Sequence, residues 1–131
     1  MEKEFEADFY LYGNKSFIRI RRPEWSDVEE LLLKLENKAG SVRLNIFPDP
    51  GIGPSHLNVS GDNGFYLLTL LEYSNDDSDV RSYWDLSLPD KKILIHGDYW
   101  PARQLTKDFD LVVRIFKEFF ETGNVSMAHL S

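Results

Sequence analysis

FYLLTLLEYSNDDSDVRSYWDLSLPDKKILIH, residues 65–96, decides the fold class. Three segments follow one another here: FYLLTLLEY (65–73), VRSYWDLSL (80–88) and KKILIH (91–96). Only the polar turn NDDSD (75–79) and the Pro89-Asp90 pair separate them. Apolar runs of this length bounded by turn residues read as strands. A doubly wound α/β fold places a helix between successive strands. None fits here, so the expectation is α+β, with an antiparallel or mixed sheet packed by helices.

Working towards the N-terminus, GDNG (61–64) is a strong hairpin turn and leads back to a strand around His56 to Ser60. PDPGIGP (48–54) is a loop, and SVRLNIF (41–47) alternates with Val42, Leu44 and Ile46 facing inward. A helix is expected at about 25–39. Ser26 and Glu29 have capping-box spacing, Val28, Leu31, Leu32 and Leu35 form an apolar stripe, and Gly40 is a stop. KEFEADFYLY (3–12) places Phe5, Ala7, Phe9 and Leu11 on one side of a strand. A Gly13-Asn14 turn joins it to SFIRIRR, and Pro23 ends that second strand.

Towards the C-terminus, HGDYWPARQLTKDF (96–109) reads as a strand-to-helix connector. Gly97 releases the chain from its strand, Pro101 stops the ladder, and Thr106 is the expected N-cap. A second helix follows at about 107–122, with Phe109, Val112, Val113, Phe116 and Phe120 at helical spacing and Gly123 as its stop. The order is β-β-α-β-β-β-β-β-α, expected to form one domain over 1–131.

The chain has 131 residues, enough for one core. It has no cysteine, which excludes disulfides, thiolate metal sites and a cysteine nucleophile. MEKEFEADFY lacks the basic and apolar regions of a signal peptide. Phe65–Leu71, the longest apolar run, is too short to cross a bilayer. A cytoplasmic location is therefore expected. The formal net charge is −7, which disfavours nucleic acid and anionic membrane and favours a basic partner.

Catalytic signals are sparse. His96-Gly97-Asp98 could bring an imidazole near a carboxylate, but no second histidine or carboxylate stands at metal-ligand spacing. PGIGP lacks the phosphate-binding lysine and a following helix, and its prolines remove backbone donors. Asp76, Asp77 and Asp79 do not follow the calcium-loop pattern. No cofactor and no metal are expected. Tyr83, Trp84, Tyr99 and Trp100 are either core caps or exposed aromatic anchors of a contact patch.

ILIHGDYWPARQLTKDFDLVVRIFKEFFETGNVS (93–126) resembles the closing segment of small immunity proteins that accompany bacterial polymorphic toxins, including contact-dependent growth inhibition systems. The matching residues are Gly97, Pro101, Phe119, Phe120, Thr122 and Gly123. The resemblance implies a protein that is no enzyme and that binds and blocks a cognate toxin domain, often a nuclease with a basic surface. It fixes no binding residues. The contact candidates therefore come from the residues themselves: Asp62, Asp76, Asp77, Asp79, Asp98, Tyr99 and Trp100. Two other readings stand beside it. One is a small enzyme or ligand-binding domain with a cleft around His96 and Asp98. The other is an interaction module unconnected with toxins.

Overall fold

The computed structural model of the chain describes residues 4–13 and 15–131. Among these residues nine strands and two α-helices form an α+β fold. The strands are β1 (Glu4–Leu11), β2 (Ser16–Arg21), β3 (Gly40–Phe47), β4 (Gly53–Asp62), β5 (Phe65–Tyr73), β6 (Ser78–Ser82), β7 (Lys92–Ile95), β8 (Asp98–Pro101) and β9 (Leu105–Thr106). The helices are α1 (Trp25–Leu35) and α2 (Phe109–Thr122). The main sheet has the order β2-β1-β3-β4-β5-β6 and every pair is antiparallel. The short β9 pairs with the first half of β5, on the edge that β6 uses further along. Among the described residues β7 and β8 pair only with each other.

The period of two in each strand sorts side chains between two faces. Ala7, Phe9, Val42, Leu44, Ile46, Leu57, Val59, Tyr66, Leu68 and Leu70 point to one face and are buried. Val28, Leu31, Leu32 and Leu35 of α1 cover them, together with Val112, Ile115, Phe116 and Phe119 of α2. Burial of a large aliphatic or aromatic side chain contributes about 1.5–3 kcal/mol, so this layer carries most of the stability. Tyr66 adds a directional tie: its hydroxyl accepts the Asn37 N–H at 3.0 Å and fixes the chain just beyond α1.

Among the described residues no helix covers the opposite face. Its middle row runs across five strands as Arg19, Asp8, Arg43, Asn58 and Thr69, read directly from the pairing register. Arg19 donates from Nε to Asp8 Oδ1 at 2.8 Å, and Arg21 and Arg22 lie 3.4 and 3.1 Å from Glu6 and Glu4. The acids and bases of this face thus largely neutralise one another.

Several local expectations change. α1 begins at Trp25, one residue before the expected cap Ser26; Glu24 is the N-cap and its N–H donates to Asp27 Oδ2 at 2.8 Å. The helix ends at Leu35, and Gly40 is no stop but the first residue of β3. A Cβ there would collide with Tyr10 O, because β1 and β3 converge at this point. α2 is capped by Asp108, which accepts the Leu111 N–H at 3.2 Å; Thr106 is in β9 and accepts the Asp108 N–H. Gly123 ends α2 at φ 76°, as its position suggests. Of the expected Gly13-Asn14 turn, Asn14 lies outside the described residues. None of the helices formed by the described residues is long and apolar enough to cross a membrane.

Candidate protein-interaction surface

β6 ends at Ser82, where the expected strand 80–88 was to continue. From Tyr83 the chain leaves the sheet and returns only at β9. The excursion, 83–104, is held together by its own hydrogen bonds. The Asp85 N–H donates to Arg103 O at 2.7 Å, the Ala102 N–H to Lys91 O at 2.8 Å, and Arg103 Nε to Leu88 O at 2.8 Å. Within it β7 and β8 form a hairpin, so the expected strand-to-helix connector contains a strand of its own. His96 (φ 52°) and Gly97 (φ 85°) make its two-residue turn, with both backbones left-handed as a type I′ turn requires.

One side of this excursion docks on the sheet. Ile95 and Leu105 are buried against Leu67, with Phe65, Ile93 and Trp100 around them. The other side faces solvent. Leu94 and Tyr99 are cross-strand partners on the hairpin and are 42% and 69% exposed; Trp84 and Leu86, in the loop before it, are 46% and 73% exposed. These four make up over a third of the eleven exposed large apolar side chains among the described residues, within sixteen consecutive positions. Asp90 and Asp98 are exposed between them.

The contact candidates fall into two groups. Asp62 and Asp98 lie at the hairpin end with Tyr99 and Trp100. Asp62 is committed internally: its Oδ2 accepts the His96 N–H at 3.0 Å and lies 3.9 Å from His96 Nδ1. Trp100 is half-buried in the docking side, so Tyr99 is the displayed aromatic. Asp76, Asp77 and Asp79 are exposed at the opposite end of β5. Eight steps of about 3.3 Å separate the two ends, roughly 26 Å. One compact contact cannot be centred on both groups. Trp84 is legible in the sequence from its aromatic class; Leu86 and Leu94 carry no such signal, because their exposure follows from the departure of the chain from the sheet.

The histidine reading is placed as well. Asp62 stands at ion-pair range of His96, whereas Asp98 points to solvent. The Tyr12 ring packs on the imidazole with centroids 4.1 Å apart, and Nε2 is buried without a hydrogen-bond partner among the described residues. Among the described residues no group of three histidines or carboxylates is placed to hold a metal ion.

Beside the excursion is a cleft of about 420 Å³ lined by Phe65, Tyr83, Asp85, Leu88, Leu105, Thr106, Lys107 and Asp108. Its lining is mainly apolar, with Asp85, Lys107 and Asp108 as its charged groups. Burial raises the Tyr83 phenol above its ordinary pKa, and the Asp85 and Asp108 carboxylates push in the same direction. Asp85 itself is held below the usual carboxylate range by hydrogen bonds from the Ser87 hydroxyl and N–H. It therefore stays anionic.

The chain belongs to DUF6911, a family of unknown function whose profile matches residues 4–129. Its fold is similar to that of a hypothetical protein from Neisseria gonorrhoeae known from a crystal structure. The TM-score is 0.78 at 21% sequence identity, covering 95% of this chain and 91% of that one. No curated protein matches the sequence.

Proposed function

We propose that this member of DUF6911 is a protein-binding domain of the immunity type, which neutralises a basic toxin domain through the displayed side of the 83–104 excursion. One observation carries the reading: Trp84, Leu86, Leu94 and Tyr99 are exposed together on an element that the fold holds outside its main sheet. Aromatic anchors surrounded by polar groups are the residue pattern of interface hot spots. Asp90 and Asp98 supply the acidic groups of the charged surround, which also holds the exposed Lys91 and Lys92. Those acids act mainly on encounter rate and partner choice, while the desolvated aromatics hold the complex. The net charge of −7 favours a basic partner over the whole approach. The resemblance of residues 93–126 to immunity proteins points to the same partner class, and inhibition then requires no chemistry from this chain.

The experiment is a search of the coding sequence immediately upstream for a toxin-like domain, followed by co-expression and co-purification with it at low and high salt. The expected result is a stoichiometric complex that restores growth and that the double substitution W84A/Y99A disrupts. A complex indifferent to those two residues would move the interface elsewhere. The absence of any complex or rescue would overturn the toxin reading.

A further inference from the structure

The cleft beside the excursion is chemically distinct from the displayed aromatic side. Phe65, Tyr83, Leu88 and Leu105 give it a mainly apolar lining. Two carboxylates, Asp85 and Asp108, also line it. Asp108 is occupied at the start of α2, where its Oδ1 accepts the Leu111 N–H at 3.2 Å. Asp85 uses Oδ1 for both the N–H and the hydroxyl of Ser87, and no hydrogen bond or ion pair engages its Oδ2 among the described residues. Two carboxylates against one lysine leave the lining with a net negative charge. The cleft already receives a cation from the chain itself: Lys107 Nζ sits 4.8 Å from the centre of the Phe65 ring. Lys107 is exposed and belongs to a flexible, easily displaced side-chain class.

An apolar cleft lined by a carboxylate with a free oxygen and by aromatic rings suits one kind of group. The stem of a basic side chain is apolar, and its head seeks an anion and an aromatic face. A planar guanidinium satisfies both at once, pairing with the carboxylate while stacking on the ring. We infer that the cleft formed by Phe65, Tyr83, Asp85, Leu88 and Leu105 is a receptor for one arginine side chain of the protein partner. The inference rests on the protein-binding reading above and names a subsite within it. Arginine displaces Lys107 from Phe65, and Asp85 Oδ2 takes its head.

The test uses the free protein and a small probe, so it is independent of whether a toxin partner exists. N-acetyl-arginine N-methylamide is titrated into the isotope-labelled full chain while the amide resonances of Asp85, Ser87, Leu105 and Thr106 are followed. The expected outcome is saturable shifts confined to these residues, with a dissociation constant on the order of 1 mM. The lysine analogue should bind several-fold more weakly, and the neutral citrulline isostere at least tenfold more weakly. Asp85→Asn should abolish saturation. Lys107→Met, which removes the competing ammonium and keeps an unbranched apolar stem in the lining, should tighten binding. Failure of the arginine probe to saturate both the native chain and Lys107→Met overturns the inference, as does equal binding of citrulline. Saturable arginine binding without a toxin complex would keep the receptor and discard the immunity reading.

Discussion

Replace Arg81 by methionine and the C-terminal segment loses its staple. Arg81 is 4% exposed, on the helix-covered side of β6. Its Nε donates to Leu130 O at 3.1 Å, Nη1 to Asn124 Oδ1 at 3.0 Å, and Nη2 to both Val125 O and Leu130 O. Glu72 stands 3.6 Å from Nη1 and remains partly solvated. Ser82 and Ser131 exchange backbone hydrogen bonds at 3.2 and 3.0 Å, so the tail extends the edge next to this guanidinium. Methionine fills similar space but donates nothing, which leaves three acceptors to find water. Each buried acceptor without a partner costs about 1–3 kcal/mol. The alternative is for the tail to detach, which exposes Val125 and Leu130, both now buried. That exposure costs about 3–6 kcal/mol for two aliphatic side chains. The chain takes the cheaper route, so the expected loss is about 3–4 kcal/mol.

For a chain of 131 residues the unfolding entropy is about 0.28 kcal/mol/K, so this loss lowers Tm by roughly 11–15 °C. Calorimetry or a circular-dichroism melt reads it directly. Amide exchange separates the routes: Leu130 and Ser131 should lose protection before any residue of α2. Arg81→Lys should recover little, because an ammonium cannot span three acceptors in the fixed fork geometry. Removing residues 126–131 and replacing Arg81 should be strongly non-additive, since each abolishes the same interaction. A melt within about 3 °C of the native chain, or simple additivity with the truncation, would refute the staple.

Other outcomes follow from single features. Gly40→Ala should cost at least about 3 kcal/mol, because the new Cβ meets a strand carbonyl that cannot move away; urea denaturation measures it. Trp84→Ala and Tyr99→Ala should each weaken partner binding by roughly 30-fold while Tm moves by less than about 2 °C, as read by calorimetry of binding and of melting. Asp90→Ser with Asp98→Ser should slow association roughly three- to tenfold and flatten its salt dependence, whereas Asp76, Asp77 and Asp79 changed together to serine should do less. Stopped-flow kinetics decides between the two ends, and a larger effect at the far turn would relocate the interface. His56 is depressed below its ordinary pKa of 6.5 by burial and by Arg43, with Asp49 opposing. The fold therefore favours neutral imidazole, so its contribution is complete above pH 6.5 and is lost as pH falls from there through the lower folded value. His56→Gln should make the urea midpoint fall less between pH about 7 and about 5, and an unchanged slope would remove His56 from the acid response.

The helices and the alternating strands were legible because their signals are local. Val28, Leu31, Leu32 and Leu35 lie on one stripe by spacing alone, and all four are buried. The Asn63-Gly64 turn is likewise encoded in two residues, both of which adopt positive φ. The α1 cap shifted because Glu24 and Asp27 offer the same n, n+3 relation as Ser26 and Glu29, and Trp25 is drawn into the first turn by packing on Phe120. Gly40 fits a helix stop on paper, but a close approach between β1 and β3 uses it, and that approach joins residues far apart in sequence.

The same contrast explains why the displayed surface exists. VRSYWDLSL alternates well enough to form one strand. Continued in register beyond the Thr69–Ser82 pair, Trp84 would face Leu67 and Asp85 would face Tyr66. Those two positions of β5 are instead taken by Leu105 and Thr106, which arrive from more than twenty residues later as β9. Leu105 is fully enclosed there with Leu67 and Ile95, an apolar contact that Trp84 and Asp85 in the same places would replace with a bulky ring and a charge. The pairing that wins is the one that buries an aliphatic residue, and what it displaces is pushed into solvent. Trp84 and Leu86 are thus exposed by competition for one edge of β5. Substituting Leu105 by a polar residue should therefore disturb the display of Trp84 as well as the core beneath it, visible as a change in tryptophan emission before the main unfolding transition.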